Sequence, residues 1–312
     1  MIPTATPTAT STPTPPPSRR RPAARLSRVL LPACGAAALV ATAVAPAAAA
    51  PTPVACSASA LAGAITAANV SGGSLELAGG CTYALTAPLP AISAAVTIEG
   101  HVATITRAPA APAFGILVVA PSGNLTLSHV IITGGDATAT FGGGIRNDGI
   151  LSVSGSIISN NKAGYSGGIG GLTGSTTTVT SSFINKNTAV HNGGGFANDG
   201  NMTISRSTVS DNTALEKGGG VANDAVLKID RSALTNNSAS GPAGLGGGIA
   251  NFGGPGASTT LTSALVTGNR ATVAAGGVYN NTGSVASSAS TIALNHPNNC
   301  TTSSPAVPSC PN

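Results

Sequence analysis

Six times between residues 141 and 297 the chain runs through one pattern: a glycine cluster, an apolar residue, an asparagine, then apolar and hydroxyl residues in alternation until a second asparagine closes the run. The openings are FGGGIRNDG from Phe141, SGGIGGLTG from Ser166, NGGGFANDG from Asn192, GGGVANDAV from Gly218, GGGIANFGG from Gly246 and AGGVYNNTG from Ala275. The closing residues Asn161, Asn187, Asn212, Asn237, Asn269 and Asn295 are 26, 25, 25, 32 and 26 apart. The long interval holds Gly/Pro insertions around Gly241–Leu245 and Gly253–Ser258. Counting back from each closing Asn, one apolar column is Val153, Val179, Ile204, Ile229 and Leu261, reaching Ser287 in the last repeat. A second is Ile158, Ile184, Val209, Leu234, Val266 and Ile292. Ala163, Ala189, Ala214, Ala239 and Ala271 follow two residues after the Asn. Apolar residues alternating with Ser and Thr at period 2 predict short strands with one buried face.

A fixed period of this length means a repeat architecture. A propeller blade needs about 40 residues and four antiparallel strands. A helical repeat would show spacings of 3 and 4 and would not tolerate this much glycine. The pattern therefore predicts an all-β fold, a right-handed parallel β-helix of roughly nine coils. It extends upstream through LTLSHVIITGGDA at Leu125 and the segments Val96–Ile98, Ala103–Ile105 and Ser74–Leu77. At roughly 4.8 Å per coil the stack over 74–297 would be about 43 Å long. An end coil exposes apolar side chains and strand edges, so caps are expected. Residues 51–73 read as the first cap. It carries a short helix over Ser57–Asn69, with Leu61, Ala64, Ile65 and Ala68 on one face and Ser57 or Ser59 as N-cap. Residues 298–312 read as the second.

Two asparagine rows follow from the register. Asn147, Asn198, Asn223, Asn251 and Asn280 form one; Asn161, Asn187, Asn212, Asn237, Asn269 and Asn295 form the other. Stacked amides can hydrogen-bond from coil to coil and hold bends in local backbone. The glycine pairs are expected to supply the left-handed corners. Ser156, Ser182, Ser207, Ser232 and Ser290 make a hydroxyl row. The outward row Thr126, Ser152, Thr178, Thr203 and Thr260 resembles an ice-binding face, but Lys228 breaks it.

Composition narrows the class. Charged residues are 7% and there is no Trp, which rules out a coiled coil or helical bundle. The formal charge of +5 comes from Arg19, Arg20, Arg21, Arg25 and Arg28. The nine acids of the chain balance the Lys and Arg that follow, so no nucleic-acid footprint is expected. Residues 1–28 read as a disordered Pro/Thr leader and basic region, and 29–50 as a signal-peptide core with cleavage near Ala48–Ala50. A lipoprotein box at Cys34, an uncleaved anchor and a twin-arginine route are the competing readings. The mature chain is expected to be secreted, monomeric and without a membrane span. It keeps Cys56, Cys81, Cys300 and Cys310. Of three possible pairings, the local one, Cys56–Cys81 and Cys300–Cys310, staples each end.

The repeats GGGI, GGGF and GGGV, each followed by an apolar-x-x-Asn segment, resemble polymorphic outer-membrane-protein repeats. The chain is similar, over residues 56–310, to parallel β-helix proteins of the pectate-lyase-like superfamily. The resemblance implies secreted or surface-exposed adhesins, passenger domains, or polysaccharide lyases and hydrolases. It also implies catalytic strings such as Asn-Thr-Asp, Asp-Asp or Gly-His-Gly, and this sequence has none of them. No barrel or wall-sorting segment follows Asn312, so anchoring like that of the outer-membrane members is not expected. Fold alone does not fix activity. Asp199 and Asp224 hold the same place on adjacent coils and form a candidate calcium pair; Asp148 shares the position, with Leu172 between. No other cofactor is implied. The expectation is a non-catalytic extracellular module that is structural, adhesive or binds a polysaccharide or cell-surface component. A polysaccharide lyase or glycoside hydrolase is the alternative.

Overall fold

The computed structural model describes residues 50–311. The leader and the signal segment, with its cleavage site apart from Ala50, lie outside the described residues. From Ala50 onward the chain winds into a parallel β-solenoid of about 9 coils. Among the described residues the strand pairings are parallel, and each joins one coil to the next. This register is the one that the asparagine spacing predicts.

One coil shows how the sequence makes the turn. Ile150–Ser154 runs along one face. Ile157–Ser159 follows after a bend, Lys162–Tyr165 after a second, and the glycine corner leads into Ile169–Gly171. The inward residues stack by kind. Val153, Val179, Ile204, Ile229 and Leu261 are buried in one column, Ile158, Ile184, Val209, Leu234 and Val266 in another. Ala163, Ala189, Ala214 and Ala239 are buried in register along the third strand. Ile145, Ile169, Phe196, Val221, Ile249 and Val278 complete the core from the fourth side. Burying each such aliphatic side chain contributes about 1.5–3 kcal/mol.

The bends differ from expectation in one respect. Glycine supplies left-handed backbone at Gly142, Gly193, Gly218 and Gly246, but Ser166 and Ala275 occupy the same place with φ of 59° and 46°. Two further left-handed columns are mostly not glycine. One runs His129, Gly155, Ser181, Arg206, Arg231, Ser263, Ala289; the other Asn160, Lys186, Asp211, Asn236, Gly268, Leu294. What holds the first is the serine after the bend. Ser182 Oγ donates to Thr180 O at 2.8 Å and accepts from Ser156 N at 3.2 Å. Elsewhere in the corner, glycine is needed for space. A Cβ on Gly219 would stand 2.4 Å from the Ser238 backbone of the next coil.

The second bend column is pinned by asparagine. In the closing row each Nδ2 donates to the next Oδ1 at 2.9–3.0 Å, from Asn161 to Asn187, Asn212, Asn237, Asn269 and Asn295. Each Nδ2 also donates to a carbonyl of the coil before, as Asn212 does to Ile184 O at 2.8 Å. The ladder continues to Asn299, a member that the repeat alignment misses because it lies in the cap. The other row is unbroken from Asn198 through Asn223 and Asn251 to Asn280, each step 2.7 Å. Asn147 is cut off from it, because its neighbour in register is Gly171; its Nδ2 donates instead to Thr177 Oγ1 at 2.9 Å.

Both ends are closed. Helix α1 (Ala58–Ser71) is capped by Ser57, whose Oγ accepts from Ala60 N at 3.2 Å, and it buries Leu61, Ile65 and Ala68. Thr52–Val54, placed in the cap by its sequence, in fact adds an edge strand paired with Leu75–Leu77. Buried Tyr83 ties it down, donating its hydroxyl to Val54 O at 3.0 Å. Cys56–Cys81 and Cys300–Cys310 are paired as the local connectivity requires, with Cα separations of 5.8 and 6.2 Å. At the far end Ser303 Oγ accepts from Asn280 N, and Asn280 Nδ2 donates to Pro305 O, so the tail takes the place of another coil.

Asn212→Ala removes two donated and two accepted hydrogen bonds inside the stack. Leaving those buried partners unsatisfied should cost roughly 3–5 kcal/mol. Lys228→Ala, on the exposed outer face, should stay within about 0.5 kcal/mol. Urea denaturation of the two variants checks the contrast, and equal losses would refute a structural role for the ladder.

Candidate functional site

The nine acids divide sharply by their partners. Six lie against a basic side chain: Asp136 with Lys162, Asp148 with Arg146 and Asp230 with Arg231 as ion pairs, and Glu76 with His101, Glu99 with His129 and Glu216 with His191. Asp211 is exposed on a bend. Asp199 and Asp224 are half-buried and have no salt bridge. The histidines thus have a role that their scattered sequence positions hide, since three of them each pair with a glutamate one coil away.

Local turn chemistry places the two aspartates. Asn198 Oδ1 accepts from Gly200 N at 3.2 Å, and Asn223 Oδ1 from Ala225 N at 3.4 Å, each closing a turn around the intervening Asp. Asp199 N donates to Gly171 O and Asp224 N to Asn198 O, both at 2.8 Å. Because Asn198 and Asn223 are in register, the aspartates that follow them stack on adjacent coils, as their sequence positions predict. Asp148 stays apart, held by Arg146 and separated by Leu172.

The pair lies on one wall of a cleft of about 170 Å³ lined by Phe141, Tyr165, Asn192, Ala197, Asp199, Ala222, Asp224 and Phe252. Ala197 and Ala222 form its floor, the outward positions of the strands Phe196–Asn198 and Val221–Asn223. The opposite wall comes from the residues just before the left-handed corner. Phe141 stacks on Tyr165 with centroids 4.8 Å apart, and Tyr165 on His191 at 4.6 Å. Lys217 Nζ lies 5.1 Å over the Phe252 ring. The residues before the corner, Phe141, Tyr165, Asn192 and Lys217, were legible as one column only after alignment on the bend itself. Phe252 enters where the other coils carry Leu172, Asp199 or Asp224, next to the Gly/Pro insertion.

Electrostatics set this cleft apart. Burial raises the carboxyls of both aspartates above their ordinary range. For Asp224 the charge of Asp199 adds to it, Lys217 offsets only part, and the result is about 6. Burial also opposes ionisation of Asp136, but the bond from Lys162 and that from Thr138 outweigh it, so that carboxyl is lowered. Asp224 Oδ1 and Asn192 Oδ1 are closed off from solvent without a hydrogen-bond partner. Among the described residues no group of three or more His, Cys, Asp or Glu is placed to hold a metal. Calcium takes six to eight oxygens, and beside the two carboxylates this lining offers only the Asn192 amide and the Tyr165 hydroxyl as oxygen-bearing side chains. A wider hollow of about 690 Å³ near Pro53, Leu77 and His101 contains acid and base already satisfied, Glu76 with His101. Comparisons with family models, with curated proteins and with solved structures found no match to this chain.

A carboxyl whose pKa is raised on folding destabilises the native state above that pKa and ceases to do so once protonated. Asp224→Asn should therefore melt higher than wild type at pH 7.5, and the gap should close as the pH falls through about 6 toward the ordinary Asp range. Thermal melts across that window measure it; a gap that does not change with pH would show that Asp224 is not desolvated.

Proposed function

We propose that this chain is an exported, non-catalytic surface-interaction module, a rigid solenoid that presents the Asp199–Asp224 cleft to an extracellular ligand. The observation that carries this reading is the placement of both unpaired carboxylates on one wall, facing aromatic rings. Glycoside hydrolysis needs two carboxyls flanking the scissile bond. Two acids stacked on successive coils address a ligand from the same side. The asparagine and serine rows are occupied in holding the coils together.

Export is supported by the two cysteine pairs and by the basic and apolar segment that precedes the solenoid. No helix among the described residues is long and apolar enough to cross a membrane. The GGxI and xxN repeats support a place beside the pectate-lyase-like and polymorphic outer-membrane-protein solenoids, whose surface members are adhesive. One observation favours a second reading, glycoside hydrolysis. Asp224 is poised near 6 beside a second carboxylate, which is the pattern of an acid and base pair.

The two readings part on turnover. Wild-type protein incubated with pectate and with neutral and amino-sugar polysaccharides should release neither reducing ends nor unsaturated uronates, while being retarded in affinity gels that contain its ligand. Turnover of any of these glycans that disappears in Asp224→Asn would replace the module reading with the enzymatic one.

A further inference from the structure

We infer that the cleft between Tyr165 and Phe252 is a recognition site for a primary ammonium group, with Asp199 and Asp224 as its counter-charges. The inference builds on the reading of this cleft as the interaction site and names the chemistry of what enters it. Three features specify that chemistry, and each is independent of the others.

The first is charge. Two carboxylates and one nearby cation, Lys217, leave the cleft short of one positive charge when both acids are ionised. Lys217 is itself held over the Phe252 ring, so its contact with Asp224 is long-range rather than a salt bridge. The second is hydrogen bonding. The two charged side chains of the lining, Asp199 and Asp224, only accept hydrogen bonds when ionised, and neither has a salt-bridge partner. Such a lining calls for a ligand that brings donors, and an alkylammonium brings three with no acceptor. A neutral hydroxyl brings one donor together with lone pairs that the carboxylates would repel. The third is shape. The volume of about 170 Å³ and the rings of Phe141, Tyr165 and Phe252 suit the methylene stem or ring carbons that carry the nitrogen. Aromatic faces attract the cation as well.

The groups that face Asp224 from the neighbouring elements are Asp199 on the coil before and Lys217 at the corner; His191, stacked on Tyr165, is already committed to Glu216 at 2.8 Å. An ammonium ion binds the ionised pair, so affinity should be full above about pH 6 and fall below it as Asp224 takes up a proton. The same chemistry could arrive on a lysine side chain or on an unacetylated amino sugar, and the probes separate the two.

Titration calorimetry at pH 7.5 is run with n-butylammonium and with glucosamine, against n-butanol, N-acetylglucosamine and calcium chloride. One of the two amines should bind, with its neutral counterpart at least tenfold weaker. Butylammonium alone points to lysine side chains, and glucosamine alone to amino sugars. Asp199→Asn/Asp224→Asn should abolish binding, while Asp211→Asn, an exposed acid on another face, should leave it unchanged. Tyr165→Ala should weaken binding roughly three- to thirtyfold through loss of the ring face. Circular dichroism melts confirm that each variant is folded. The inference is overturned if neither amine binds, if the neutral probes bind equally well, if calcium alone binds, or if the double Asn variant keeps its affinity. Retention of the protein on a glycan with none of these amine effects would leave the module reading standing and remove only this one.

Discussion

The structure depends on one constraint: each coil must lie over the last with no shift in register. Side chains stack on the same position one coil away, so a slip of one residue would turn an apolar column outward and a hydroxyl row inward. The asparagine ladder enforces the match. An amide in the closing row meets four bonding partners only when the coils above and below carry an amide at the same height. Two of the four are amide to amide and two reach backbone, and all are buried, so a missing neighbour leaves polar groups unsatisfied. The aliphatic columns supply most of the driving force.

The same constraint explains how a repetitive scaffold makes one unrepeated place. Substitutions at a single register position do not disturb the stack if they point outward. At the place that follows the inner asparagine the chain carries Asp148, Leu172, Asp199, Asp224 and Phe252 in turn. At the place before the corner it carries Phe141, Tyr165, Asn192 and Lys217. The scaffold fixes where these side chains stand, and their identity is free to vary. The cleft is the result of two such columns facing one another across small floor residues, Ala197 and Ala222. Its two acids are half-buried and lack a salt bridge, and burial raises their carboxyls, whereas six of the other acids lie against a basic side chain.

The ends illustrate a second use of register. Thr52–Val54 and the segment around Ser303–Pro305 both satisfy the open edges of the stack with backbone and hydroxyl groups in the places where a further coil would put them. The cysteine pairs then tie these segments covalently to the stack. An exposed strand edge would otherwise be a template for pairing with another chain.

The sequence by itself determined the coil. Period-2 alternation, the interval between asparagines and the glycine corners fix strand, bend and register, because all three are local or repeat at a constant separation. It also determined that Asp199 would stand next to Asp224, since that follows from register alone. It did not show the two non-glycine bends, whose left-handed backbone is held by the serine or asparagine that follows, nor the continuation of the ladder to Asn299 in the cap. Register also puts Phe252 after Asp224 in one column, but only the tertiary structure decided that Phe141 and Tyr165 come to the same cleft as the acids. These residues belong to different columns, and the distance between columns is set by how sharply each corner folds, a quantity that packing and the glycine contacts determine and that no spacing along the chain records.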